Sequence, residues 1–180
     1  MPRYAAFLRA INIGGRRVTN DDLRAGFEAI GFGDVAVWRA SGNVVFDADS
    51  RSPGKVTERV DAGLTEALGY EVRTFLRTAS EVREIAAHEP FDPAHVRGSG
   101  GKLQLALLGT RPAMSARKEA LALSTEDDRL AFGERELYWL PSGGFAESEL
   151  DRNALVKALG SMTWRTKNVL EEIARKYFAG

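Results

Sequence analysis

The sequence contains no cysteine. That one absence excludes disulfide scaffolds, thiolate zinc sites, iron–sulfur clusters and cysteine nucleophiles, and it suits a reducing compartment. An excess of charge of one sign is missing too. Lysine plus arginine number 25 and aspartate plus glutamate 25. Bulk attraction to nucleic acid or to an anionic membrane is therefore not expected, and any anion site must be local. No apolar run approaches the ~20 residues that a membrane-spanning helix requires. The opening stretch Tyr4-Ala5-Ala6-Phe7-Leu8, closed by Arg9, is too short for a signal-peptide core. A cytoplasmic protein without a membrane partner is expected. The two histidines, His88 and His95, flank Pro90 and Pro93 and have no carboxylates at ligand spacing, so neither a metal nor a cofactor is expected.

What remains is a chain of 180 residues, 44% of them hydrophobic. A chain of this size buries roughly 70% of the surface that its unfolded form exposes, so its core needs no metal or disulfide. Tyr4 to Leu8 reads as a buried strand. A helix follows from about Thr19, whose hydroxyl suits a cap, with Leu23, Phe27 and Ile30 on one face and Gly31 as its stop. Residues 34–39 and 43–47 read as strands joined by Ala40-Ser41-Gly42. Ser52-Pro53 opens a second helix with the stripe Val56, Val60, Leu64, Leu68. Residues 71–77 give a fourth strand, and Thr78-Ala79-Ser80-Glu81 has the spacing of a capping box. This order, β-α-β-β-α-β, is the ferredoxin-like one.

Residues 89–101 hold Pro90, Pro93 and three glycines and form the best linker. Beyond it the order repeats: a strand at 103–108, a helix at 112–123, a hairpin of 129–132 and 136–140, and a helix at 148–159. No last strand is evident in this half, which closes instead with a helix at 167–178. No residue-level repeat accompanies the repeated element order. The predicted fold class is α+β, two ferredoxin-like halves packed together. They span residues 1–92 and 101–180, either as two units or as a single domain.

Three segments carry candidate chemistry. The first runs from Arg9 to Arg17. Arg3, Arg9, Arg16 and Arg17 all precede the first acid, Asp21. Gly14 and Gly15 allow close backbone approach, a helix N-terminus follows, and guanidinium groups suit phosphate or carboxylate. Neither a P-loop nor a dinucleotide-binding turn is present, and a glycine-shaped connection with solvated arginines explains the same residues. The second is Ser41-Gly42-Asn43, which equally suits a plain hairpin turn. The third is Trp164-Arg165, able to stack on and pair with a planar anion or to fill the edge of a core.

The segments Phe7-Leu8-Arg9-Ala10-Ile11-Asn12-Ile13-Gly14-Gly15, Phe27-Glu28-Ala29-Ile30-Gly31-Phe32 and Ser41-Gly42-Asn43-Val44-Val45-Phe46 resemble a widespread bacterial family, domain of unknown function 1697. The resemblance continues through Tyr138-Trp139-Leu140-Pro141, Ser148 and Trp164-Arg165-Thr166. It implies two ferredoxin-like halves and transfers no activity. Ala10 stands where the family commonly has glycine, Ala40 where it has glutamine, Glu149 where it has lysine and Thr163 where it has asparagine.

The expectation is a small anionic ligand held in one cleft by Arg9, Asn12, Gly14, Gly15, Arg16, Ser41, Asn43, Trp164 and Arg165. Catalysis, if any, would be electrostatic positioning, because no general base is evident. The alternatives are a nucleic-acid-binding module, disfavoured by the neutral charge, and a structural protein that pairs into a homo-oligomer.

Overall fold

A computed structural model describes residues 1–12, 14–39 and 42–179. The chain divides into two compact units, Met1–Arg83 with Ile173–Gly180, and Glu84–Glu172.

In the first unit, β1 (Arg3–Arg9), β2 (Gly33–Val37), β3 (Asn43–Asp47) and β4 (Arg73–Thr78) form an antiparallel sheet in the order β2-β3-β1-β4. This is the ferredoxin-like arrangement predicted from element order. The helices α1 (Asn20–Ile30) and α2 (Pro53–Leu68) cover one face. They form where the sequence signals them. Thr19 caps α1 in a reciprocal box with Asp22, and Gly31 ends it in the left-handed conformation. Leu23 and Phe27 of α1 and Val56, Val60 and Leu64 of α2 pack on Tyr4, Ala6, Leu8, Val44, Phe46 and Leu76 of the sheet. On the opposite face Ala5, Phe7, Val45 and Phe75 are buried as well.

After β4 the chain enters α3 (Ala79–Ala87) without a loop, held by the box between Thr78 and Glu81. The division between the units falls inside this helix. The linker predicted at 89–101 contains a short helix, α4 (Pro93–Gly98), which Asp92 caps by accepting from the Ala94 amide.

The second unit repeats the order with β5 (Gln104–Leu108), α5 (Met114–Leu121), β6 (Arg129–Phe132), β7 (Glu136–Leu140), α6 (Arg152–Leu159), β8 (Met162–Thr166) and the start of α7 (Lys167–Tyr177). Its sheet runs β6-β7-β5-β8, again antiparallel. The last strand that the sequence did not reveal is therefore present. β8 pairs with β5 from Gln104↔Thr166 to Leu108↔Met162. Met-Thr-Trp-Arg-Thr hides only its first two residues fully, so it lacks the apolar run or clean alternation that marks a strand. Among the described residues no helix is long and apolar enough to cross a membrane.

Candidate functional site

The loop after β1 is shaped by its own backbone. Ala10 takes a left-handed φ of 62°, and Gly14 and Gly15 take 66° and 79°. Positive φ at residue 10 explains why glycine is common there in the family that the sequence resembles. A Cβ added at Gly14 or Gly15 would meet nothing within 4 Å, so conformation, rather than crowding, calls for glycine. Asn12 serves the loop itself. Its Oδ1 accepts the Val18 amide at 2.9 Å, which closes the turn ahead of the Thr19 cap. From the start of β4's approach, the Tyr70 hydroxyl donates to the Ile11 carbonyl at 2.6 Å.

Tyr70 did not stand out in the sequence, and it organises this surface. The Arg16 guanidinium lies 4.3 Å above its ring, a cation–π contact. Ala10, Gly14, Arg16, Tyr70 and Glu71 line an open cavity of about 360 Å³. Arg9, at the end of β1, is exposed and sits in register with exposed Arg73 of β4. Arg17 is exposed as well. Arg3 belongs elsewhere, bound to Asp47 at 2.8 Å and to Asp34. The N-terminus of α1 is also committed. The Asp22 carboxylate accepts both the Thr19 amide and the Thr19 hydroxyl, at 2.9 and 2.7 Å, and the hydroxyl bond holds its carboxyl below the usual range. With Asp21 beside it, this first turn answers its own dipole with carboxylates and leaves little for an incoming anion.

In the second segment, Ser41 lies outside the described residues. Gly42 and Asn43 are buried. The Gly42 carbonyl accepts the Leu8 amide at 2.8 Å. Its φ is 69°, and an added Cβ would sit 2.9 Å from Ile11 Cδ1 and 3.1 Å from Leu8 Cβ. Asn43 Nδ2 donates to the Trp38 carbonyl at 3.0 Å, while the Trp38 amide donates back to the Asn43 carbonyl at 2.8 Å. Gly42 thus staples this connection to the end of β1, and Asn43 closes it on Trp38.

Trp164 and Arg165 belong to the second unit, on β8. Trp164 is half-buried, with its ring centroid 5.6 Å from that of Trp139 and 5.7 Å from that of Phe145, both edge-on. These contacts fill the edge of a core. Arg165 Nη1 donates to Thr163 Oγ1 at 2.9 Å and to the Trp164 carbonyl at 2.7 Å. Burial pushes its pKa down to about 10, and the group stays charged at neutral pH. The two units share a residue-level echo that the sequence alone did not disclose. β4 ends in Arg77-Thr78 and β8 in Arg165-Thr166, each leading straight into a helix. In both, arginine Nη1 donates to the preceding residue's carbonyl, at 2.9 Å for Arg77 and 2.7 Å for Arg165. In both, the arginine faces the register partner of the first strand, Ala5 or Leu105.

A further buried polar centre lies in the second unit. The Asp128 carboxylate accepts Trp139 Nε1 at 2.8 Å and the Ser148 hydroxyl at 2.7 Å. Ser148 accepts the Leu150 amide at 3.1 Å, so this network pins the segment before α6. A separate open cavity of about 410 Å³ is lined by His95, Ser99, Glu126, Asp127 and Arg129 among others. Among the described residues no group of three histidine or carboxylate side chains could hold a metal ion.

The model of a protein family described as "Protein of unknown function (DUF1697)" matches residues 1–138. The chain belongs to this family. The match takes in the loop from Arg9 to Arg16 and the Ser41–Asn43 turn, and it stops short of Trp164 and Arg165. Among solved structures, the conserved bacterial protein SP0830 from Streptococcus pneumoniae is similar, with a TM-score of 0.68 and 18% identity, and 97% of each chain is covered. At that identity the likeness is one of fold. No curated protein matches the chain.

Proposed function

We propose that the first unit of this DUF1697 protein binds a small anionic ligand, phosphate- or carboxylate-bearing, at the surface cavity beside the β1–α1 loop. The observation that carries the proposal is the seating of Arg16 on the Tyr70 ring at the edge of that cavity, which Gly14 also lines. A guanidinium held on an aromatic face loses little freedom when it takes a bidentate anion. Arg9 and Arg73 supply further positive charge from the adjoining strand ends. Glu71, on the cavity wall, would accept a hydrogen bond from a hydroxyl or amine of the ligand and would disfavour a bare dianion. Asn12 and Asn43 act in this proposal by shaping the loop and the turn. The buried strand aromatics Phe7, Phe46 and Phe75 support this reading over a base-stacking sheet of the RNA-recognition type. The cysteine-free composition and the family resemblance support a bacterial, cytoplasmic setting.

Calorimetric titration with inorganic phosphate, a nucleoside monophosphate and a dicarboxylate tests the site. Arg9→Ala with Arg16→Ala is expected to weaken binding by ~10-fold or more, the scale of one lost charge-assisted contact. Glu71→Gln is expected to tighten inorganic phosphate. Binding that is unchanged in the double variant overturns the assignment.

A further inference from the structure

The helix α5 of the second unit is packed inside out. Ala120 is its fully buried residue, while the larger Met114 and Leu121 are 74% and 40% exposed. A helix that served only its own core would turn leucine and methionine inward. Met114, Ser115, Arg117, Lys118, Leu121 and Phe132 line a groove of about 520 Å³ between α5 and the end of β6. Its floor is apolar, and every charged residue that lines it is basic. The Arg117 guanidinium lies 5.0 Å from the Phe132 ring centre and donates to the Gly133 carbonyl, which fixes the basic edge on the groove wall. Lys118 is exposed beside it.

We infer that this groove is a docking surface for an amphipathic helical segment of a partner protein whose apolar anchors are flanked by aspartate or glutamate. Met114 and Leu121 lie seven residues apart on one helix, about 10 Å at the rise of an α-helix. That distance suits anchors spaced two turns apart on the partner. Charge selects the occupant. Two copies of α5 paired antiparallel would set Met114 of each against Leu121 of the other. The two-fold axis would then pass between Arg117 and Lys118, and four cations would converge there. Like charges brought together across an interface disfavour that pairing, whereas an acidic helix places its carboxylates where the cations stand. Flexible methionine at the rim suits an apolar surface that adapts to its partner. The inference stands apart from the anion site, which belongs to the first unit.

The test uses the full-length protein and a fluorescently labelled synthetic helix with leucines at i, i+3, i+4 and i+7 and glutamates elsewhere. A control peptide keeps the leucines and carries lysines. The glutamate peptide is expected to bind, with an affinity that falls as salt is added, and the lysine peptide to bind ~10-fold or more weakly. Met114→Ser with Leu121→Ser, and separately Lys118→Glu, should each weaken the glutamate peptide ~10-fold. Both should leave the far-UV circular dichroism unchanged, and Lys118→Glu, at an exposed side chain, should leave the urea midpoint unchanged as well. Failure of the glutamate peptide to bind at millimolar concentration overturns the inference. So does equal binding of both peptides, or binding indifferent to the substitutions. Wild-type dimerisation that Leu121→Ser abolishes would assign the groove to a second copy and overturn it as well.

Discussion

Gly42→Ala separates a packed staple from a permissive turn. Gly42 sits at φ 69° with the Leu8 and Ile11 side chains around the place where a methyl group would go. Both neighbours are almost fully buried, at 2% and 4% exposure, so neither can swing into solvent. A left-handed alanine costs about 1–2 kcal/mol. Overpacking a rigid site adds about 1–3 kcal/mol, and the stiffer unfolded chain returns about 0.4–1 kcal/mol. The net expectation is a loss of about 3 kcal/mol. Gly14→Ala is the matched control. Its φ of 66° is nearly the same, but an added Cβ meets nothing within 4 Å, so only the backbone terms remain and the loss should be about 1 kcal/mol. Urea denaturation followed by circular dichroism and tryptophan fluorescence reads both from their midpoints at constant slope. If the two variants lose the same stability, the turn at Gly42 is not packed against Leu8 and Ile11, and its role as a staple fails.

Three further predictions rest on other observations. Ala10→Gly relieves a left-handed alanine and is expected to hold stability or raise it by up to about 1 kcal/mol; a clear loss in the same urea assay would contradict the strain. Asp128→Ala removes the acceptor of both Trp139 Nε1 and Ser148 Oγ and should cost about 3 kcal/mol, with a change in near-ultraviolet dichroism from the tryptophans; an unperturbed spectrum would refute it. Asp61 of α2 is half-buried with Oδ1 lacking a hydrogen-bond partner among the described residues, and burial raises its carboxyl above the ordinary value of 3.8. Because the folded state holds this proton more tightly than the unfolded one, stability is lost as pH rises from 3.8 through the raised value. Asp61→Asn should therefore stabilise at pH 7, by no more than about 1 kcal/mol for a group this open to solvent, and not near pH 3; a gain of equal size at both pH values would refute the assignment.

The fold was legible in the sequence wherever a residue type has one local meaning. Thr19, Gly31, Pro53 and the Thr78–Glu81 box marked helix ends, and apolar stripes marked their inner faces. β8 escaped because Trp164, Arg165 and Thr166 are only half-buried and no turn residue separates the strand from α7. The short helix α4 escaped because the prolines and glycines of residues 89–101 around it read as a connection. The candidate site was legible in part. Glycine pairs and arginines flagged the loop, but nothing local told whether Asn12 and Asn43 would spend their hydrogen bonds on a ligand or on backbone. They bond to the Val18 amide and the Trp38 carbonyl, contacts fixed by how each turn folds back. Tyr70 escaped because its partner Arg16 lies on a distant stretch of chain, and only the pairing of β1 with β4 brings them together.

In the proposed site Arg16 holds an anion at the cavity beside Gly14 and Tyr70, with Arg9 adding charge from the end of β1. Amide chemical-shift mapping during a titration with inorganic phosphate and a nucleoside monophosphate tests it most directly. Saturable shifts are expected at Ala10, Gly14, Gly15, Arg16, Tyr70 and Glu71, lost in Arg9→Ala with Arg16→Ala. Shifts centred elsewhere, or the same shifts in the double variant, would contradict it.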